Sequence, residues 1–495
     1  MKINPVVCAL AAGIAMPVLG QSAEQLWARN CIQCHAEDGR GGGAGTRTLL
    51  TRELMDQALD RQFFDKIKNG VPDMGMVAFK ETLKDEQIWA LVVHIRELQA
   101  AADRKANGSP KAVNGVYTSK YHTFKLETVI DKGLRTPWSA EWIPGENGGL
   151  VVTNRGGPVM LWRKGTLTTI EGIPESAEVG QGGMMDVAAH PDYAKNGWLY
   201  LAFADPHPTQ RNRGTMTRVV RGKLKFEGDK VSFTDMQNIF SAKPEHYLAT
   251  GLHFGVKLAF DPKDSSILFF GIGERGRMEM AQDLTRPNGK IHRVKDDGTV
   301  PADNPFVGVK DAYPTIWSYG HRNPQGLAFD ANGDLFDTEH GPRGGDEFNL
   351  ILKGRNYGWP VVSFGINYND APFRTPWPDT AGRKEAPHTG EAPQDAITMP
   401  VYRWLPSIGA CGMGLAKGDA FPQWSGDLFA GGLSGSNIDR LRVRDGVLVE
   451  REEILHRIGR VRDVRTGPDG RIYIVLNDPD RVVAITPADS PATKK

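Results

Sequence analysis

The stretch Cys31-Ile-Gln-Cys34-His35 sets two thiols at Cys-x-x-Cys spacing with an imidazole directly after them. This is the attachment pattern of a c-type haem. The thiols can add to the two haem vinyl groups, and the adjacent histidine is then held where it can ligate the iron. Zinc would want two further ligands at similar spacing, and the only other cysteines are Cys8 and the distant Cys411. A redox dithiol would need a βαβ context, which the flanking residues do not supply.

Composition bounds what surrounds this motif. At 495 residues the chain is long enough for two or three domains. Its formal charge of +1 gives no reason to expect a nucleic-acid or polyanionic polymer partner. Its 57 glycines and 32 prolines suit an all-β chain full of tight turns better than a helical one. Residues 1–20 read as a signal peptide: Lys2, an apolar run from Val6 to Leu19, and small residues before the cut. Cys8 would leave with it. The expected location is therefore periplasmic or secreted, with no membrane span in the mature chain.

Residues 21–100 carry helical patterning. Ser22 can cap a short helix running into Cys31, and Phe63, Phe64 and Ile67 share one face of a second that stops at Gly70. A longer helix, starting at Thr82, places Ile88, Leu91, Val92, Ile95 and Leu98 on one buried stripe. Small, helical and opened by the haem motif, this stretch resembles a class I cytochrome c. The resemblance implies a methionine as second axial ligand, in a loop before the last helix with an aromatic residue three positions later. Met76-Val-Ala-Phe79 fits, so His35 and Met76 are the expected iron ligands, with Met74 as rival. A thioether ligand tends to raise the haem potential. His94 reads as a surface or packing histidine.

Residues 101–121 have no apolar period and read as a linker. After it one pattern recurs six times: an apolar strand, a turn of Asp, Pro, Asn or Gly, and a second apolar strand. The copies span Ser139–Thr153, Met185–Ala204, Lys257–Ile272, Gly326–Asp337, Gly414–Gly431 and Asp463–Leu476. The turns supply the residues hairpins need, and such repetition indicates a propeller or solenoid. Six units of roughly 60 residues predict an all-β six-bladed propeller over 122–487, preceded by the small all-α domain and followed by a tail, 488–495. In each hairpin the residues before the first strand and after the second must share one face. Those positions hold Arg135, Gln181, His253, Arg322, Asn323, Arg460 and Arg462, and then Arg155, Glu274, Arg275, His340, Gly341, Pro342 and Ser434. Several guanidinium groups around one funnel suit a ligand with several carboxylates.

Six stretches within this region resemble the soluble PQQ-dependent sugar dehydrogenases, and among them the aldose sugar dehydrogenases. They are Gly180–Ala194, His253–Asp261, Gln282–Val307, Ser318–Asp330, Glu339–Val361 and Arg460–Arg471. The resemblance implies PQQ, a tricyclic quinone with three carboxylates, bound on that face. It implies His253 as the general base, Glu274 as its acidic partner, and Gln181, Arg322, Asn323, Arg460 and Arg462 as cofactor contacts. It also implies that the carbonyls of Gly341 and Pro342 bind the Ca²⁺ that sits on PQQ, calcium being suited to oxygen ligands. A lysine that touches the cofactor in that family falls where Ser434 stands, which removes one positive charge from the site.

The expectation is a periplasmic quinohaemoprotein: a sugar hydroxyl oxidised by hydride transfer to calcium-bound PQQ, aldose to lactone, with electrons passed to haem c and on to an external acceptor. A calcium-dependent lactonase on the same scaffold would explain calcium and His253, but not the arginine rim or the haem. A cofactor-free propeller acting as a docking module for the cytochrome is favoured by Ser434 alone. Glu339, Asp346 and Glu347 could hold a second calcium, although acidic loop residues are more often solvated. Cys411 reads as a buried thiol. Replacing both Cys31 and Cys34 by Ala is expected to give a folded propeller without covalent haem; a pyridine haemochrome spectrum of undiminished c-type haem would contradict the assignment.

Overall fold

The computed structural model describes residues 22–42, 46–369 and 397–488. The expected signal peptide and Cys8 lie outside the described residues, as does the tail beyond residue 488. No helix among the described residues is long and apolar enough to cross a membrane.

Helix α1 (Ala23–Asn30) is capped by Ser22 in a reciprocal capping box with Gln25. A single turn, α2 (Ile32–His35), follows and carries the haem motif. Helix α3 (Asp60–Asn69) ends at Gly70, whose φ of 74° suits glycine. Helix α4 spans Asp85–Asn107. It starts later than Thr82 because the Lys84 N–H is taken up by the Gln87 side chain, 2.9 Å away. It also runs through the first residues of the expected linker: Ala100-Ala-Ala-Asp-Arg-Lys-Ala106 has high helix propensity and needs no buried face to continue. The expected stripe lines the core of this region, Ile88, Leu91, Val92 and Ile95 packing on Leu26, Trp27, Phe63 and Phe64.

All six expected hairpins form as antiparallel pairs. Their first strands are Pro137–Ile143, Met184–Ala189, Leu258–Asp261, Pro324–Phe329, Ala410–Leu415 and Arg460–Thr466. Each touches the next in chain order, and the sixth touches the first. Three hairpins belong to separate four-stranded sheets. The first two share an eight-stranded sheet, whose halves join through a short parallel pairing of Val231 with Ile170 and Ser232 with Glu171. The sixth is completed by Thr123–Ile130, which pairs with Arg481–Pro487 and so ties the two ends of the β region together. The result is a propeller-like β structure.

A buried charge network lies among the inner strands. The Lys257 ammonium sits 2.8 Å from Asp186 and 2.5 Å from Asp463. The Ser139 hydroxyl donates to Asp463 at 2.7 Å, and Arg465 pairs with both aspartates. Four of the six inner segments thus share one set of charges away from water. Removing one partner of such a set is costly because the others stay buried. Lys257→Met is therefore expected to destabilise the β region by about 3–5 kcal/mol in urea unfolding; a loss below about 1 kcal/mol would show that Arg465 alone satisfies both aspartates.

Candidate active site

The hairpin ends meet as the strand pattern requires. The Gln181 N–H donates to the Gly251 carbonyl, Glu274 N–H to Arg322 O, and His340 N–H to Asn323 O. The first two bonds link different hairpins and the third closes the mouth of one, so the loop geometry is set by the ring of hairpins.

His253 stands at the centre of this loop cluster with a positive φ of 46°, a conformation rare for a residue with a side chain. Its N–H donates to Gln181 Oε1 at 2.8 Å, and its Nδ1 is hydrogen-bonded to Glu274 Oε1. A Cβ on Gly273 would lie 2.2 Å from the His253 carbonyl oxygen, so only glycine fits behind it. Burial lowers the His253 pKa; the hydrogen bond to Glu274 opposes that shift and the nearby Arg322 charge adds to it. The imidazole is therefore neutral near pH 7. With Nδ1 engaged by a carboxylate, Nε2 is the atom left to take a proton. Glu274 is almost wholly buried, and its second oxygen has no partner among the described residues.

Arg275, expected on the rim, is not there. Its guanidinium lies 3.5 Å from the Phe254 ring centroid and donates to the carbonyls of Leu252, Thr215 and Thr250. It fixes the loop beneath His253. A fully buried guanidinium needs acceptors, and these carbonyls supply them.

The cationic side comprises Arg322, Arg460 and Arg462. Arg322 donates to His340 O at 3.1 Å, and its Nε is buried without a partner among the described residues. Arg462 lies 4.1 Å over the Trp138 ring, and Arg460 is exposed. Asn323 uses Oδ1 to accept from Gly255 N at 3.0 Å. His340, which the sequence placed on the rim without a role, sits among these groups. Burial first, then Arg322, Arg462, His253 and Arg460, hold its pKa at about 3, and its buried Nε2 has no partner among the described residues. Orphaned polar atoms around concentrated positive charge are what a bound polyanion would satisfy.

Acidic groups adjoin these cations directly, the Arg322 N–H donating to Glu339 Oε2 at 2.7 Å. Gly341 and Pro342 line a small cavity with Arg322, Glu339, His340, Glu347 and Trp359. A Cβ on Gly341 would fall 2.3 Å from the Gly345 oxygen, so the loop admits no larger residue. Asp346 holds that loop, accepting from Gly341 N, Ser407 Oγ and Ala410 N at 2.8–3.0 Å. Asp346 and Glu339 are thus buried and bonded, and not solvated as acidic loop residues usually are. Asp337 is fully buried, and His321 Nδ1 lies 3.5 Å from its Oδ2. Burial, followed by the Glu339 charge, raises both Asp337 and Glu347. Carboxylates and backbone carbonyls form the hard-oxygen donor set that calcium prefers. Ser434 is exposed on its loop.

In the helical region Met76 packs partly buried against the core, while Met74 is 63 % exposed. His35 has its pKa lowered by burial, and its Nδ1 finds no partner among the described residues. Cys31 and Cys34 are not bridged to each other by a disulfide. Cys411 is a buried thiol, its Sγ 3.2 Å from the Arg462 carbonyl.

Comparison with known proteins matches residues 134–484 to the family described as glucose/sorbosone dehydrogenase. Residues 19–95 match cytochrome c oxidase, cbb3-type, subunit III. Aldose sugar dehydrogenase YliI of Escherichia coli is 38 % identical over 360 residues, covering 72 % of this chain and 91 % of its own. Quinoprotein glucose dehydrogenase B of Acinetobacter calcoaceticus is 32 % identical over 268 residues, 48 % of this chain and 52 % of its own. The apo crystal structure of the soluble Escherichia coli aldose sugar dehydrogenase superimposes with a TM-score of 0.65 at 36 % identity, over 74 % of this chain and 99 % of that one.

The His253–Glu274 geometry has a pH signature. A base with a depressed pKa is competent above that pKa and is lost as pH falls through it, so the acid limb of sugar turnover is expected below the ordinary histidine value of 6.5. Glu274 raises the His253 pKa, so Glu274→Gln is expected to move the limb to lower pH. A limb that moves upward in the variant would contradict the pairing.

Proposed function

The chain belongs to the glucose/sorbosone dehydrogenase family and carries an N-terminal cytochrome c domain, and from that premise we propose that it is a periplasmic quinohaemoprotein that oxidises aldoses to lactones. The observation that carries this reading is His253, neutral and backed by Glu274, facing a cluster of Arg322, Arg460, Arg462 and His340. The six hairpins and their ring of inner strands support a six-bladed propeller as the scaffold.

PQQ, when bound, supplies the hydride-accepting quinone, with Ca²⁺ as the Lewis acid that polarises it. Arg322, Arg460 and Arg462 would meet its carboxylates, with Gln181 and Asn323 as polar contacts. The carbonyls of Gly341 and Pro342 would hold the calcium. His253 Nε2 takes the proton of the sugar hydroxyl, and Glu274 fixes the ring and stabilises its charged form. Arg275 and Gly273 hold His253 in place from behind. Cys31 and Cys34 would bond haem c, with His35 and Met76 as the ligands to its iron, and the haem would supply one-electron transfer to an external acceptor. Export ahead of haem attachment agrees with residues 1–20 being a signal peptide. Ser434 in place of a lysine leaves the cofactor held with one charge fewer, and Ser434→Lys should tighten PQQ binding in calorimetry.

The test is optical. Purified protein is given PQQ and Ca²⁺, then a panel of sugars, and the haem α-band is followed. Growth of the band with aldoses, only when both additions are present, is expected; no band with any sugar would contradict the reading. His253→Ala should keep PQQ while losing about 10²–10⁴-fold in turnover, and near wild-type turnover would make His253 structural.

A further inference from the structure

Helix α4 is buried on two faces. Its first face serves the helical core, and its second, Ala90 and Val93, joins Ala23 in packing against Ile366 and Leu405 of the β region. Around this apolar patch runs a set of polar contacts. The Asp60 carboxylate, 3 % exposed, lies 2.6 Å from Arg96 of its own domain and 2.8 Å from Arg403 of the propeller. Arg403 also reaches Gln57, through its N–H at 3.2 Å to Oε1 and its guanidinium at 3.3 Å to the carbonyl. Glu97 pairs with Arg343 at 3.3 Å.

The location of this seat matters. Arg343 directly follows Pro342, and Gly345 N–H donates to Trp404 O at 3.0 Å, so the seat is built on the loop that lines the small cavity. On the cytochrome side the Trp27 ring lies between His35, at 6.0 Å, and His94, at 5.4 Å between centroids. His94 is in turn 3.8 Å from Glu97. A line of packed groups thus runs from the proposed iron ligand to the proposed calcium loop.

We propose that the cytochrome domain works from a fixed seat on the propeller, clamped by Asp60–Arg403, Glu97–Arg343 and the Val93 patch, and that electrons cross there within one chain. This rests on the sugar dehydrogenase reading above. Each turnover leaves two electrons on the reduced cofactor. They leave singly, each turning one ferric haem iron ferrous, with the haem emptied in between by the external acceptor and two protons released to solvent. A clamp that shares a buried carboxylate between two arginines resists separation by salt, because a pair held away from water is screened far less than an exposed one. The continuation of α4 to Asn107, with Arg104 3.2 Å from Glu453, shortens the stretch that could act as a tether.

The test uses the full haem-bearing chain, Val93→Glu and the double variant Val93→Glu, Arg403→Gln, in which Asp60 keeps Arg96. Small-angle X-ray scattering, without PQQ, should show a compact wild type even in about 1 M salt, where exposed ion pairs are screened, and an expanded double variant. A wild type that scatters as separated domains, or a double variant that stays compact, overturns the clamp. With PQQ, Ca²⁺ and an aldose in a rapid mixer, wild-type haem reduction should not depend on protein concentration. It should slow by at least about tenfold in the expanded variant, where the haem must find its partner through a tether. A small soluble dye should be reduced at the wild-type rate in both. Equal haem reduction in an expanded variant overturns the proposal. Absence of dye reduction in wild type would instead defeat the sugar dehydrogenase reading, while scattering still decides the seat.

Discussion

Lys257, held between Asp186 and Asp463, is the interaction on which the candidate site depends. Each member of its network lies just downstream of a site residue: Gln181 precedes Asp186, His253 precedes Lys257, Arg462 precedes Asp463, and Trp138, on which Arg462 stacks, precedes Ser139. Fixing these four segments by charge fixes where their upstream ends emerge. Hydrophobic packing between inner strands is strong but not directional. Shared hydrogen-bonded charges add the direction, because Lys257 and Arg465 must each reach both aspartates.

Above that floor the site holds groups of both signs. Burial and neighbouring guanidinium groups push His340 and His253 toward the neutral form, while burial and Glu339 push Asp337 and Glu347 toward protonation. Burial leads each of these shifts, so adjoining loops hold cationic and acidic groups side by side away from water. A polycarboxylate against the arginines, with a divalent cation between it and the carbonyl loop, would relieve both sides together. That complementarity is the physical basis of the proposed cofactor pair, and it leaves His253 free to act as a base.

The hairpins were legible because their turns carry Asp, Asn and Gly at fixed places, and a period-two apolar pattern fixes which side of each strand is buried. His253, Arg322 and Arg462 could be located because hairpin geometry puts their positions on one face. What such geometry cannot give is side-chain direction, so Arg275 counted as a rim residue although its guanidinium turns down onto Phe254. Hairpin geometry puts His340 on the rim but gives it no role, and Trp359 has no local signal at all, since the surroundings of both come partly from other hairpins. The second buried face of α4 was invisible since Ala90 and Val93 look unremarkable beside the stronger stripe of Ile88, Leu91 and Ile95. The strand Thr123–Ile130 fell outside the six repeats because its hairpin partners lie at the other end of the β region.

The central claim is that the arginine side and the oxygen-lined cavity together form one site for a calcium-bound tricarboxylic quinone. The most direct measurement is titration calorimetry of PQQ into the full chain, with calcium present and then with a chelator. The account predicts one PQQ per chain in calcium, weakening as ionic strength rises, and little or no binding once calcium is removed. Binding that ignores both calcium and salt, or no binding heat in either condition, would contradict it.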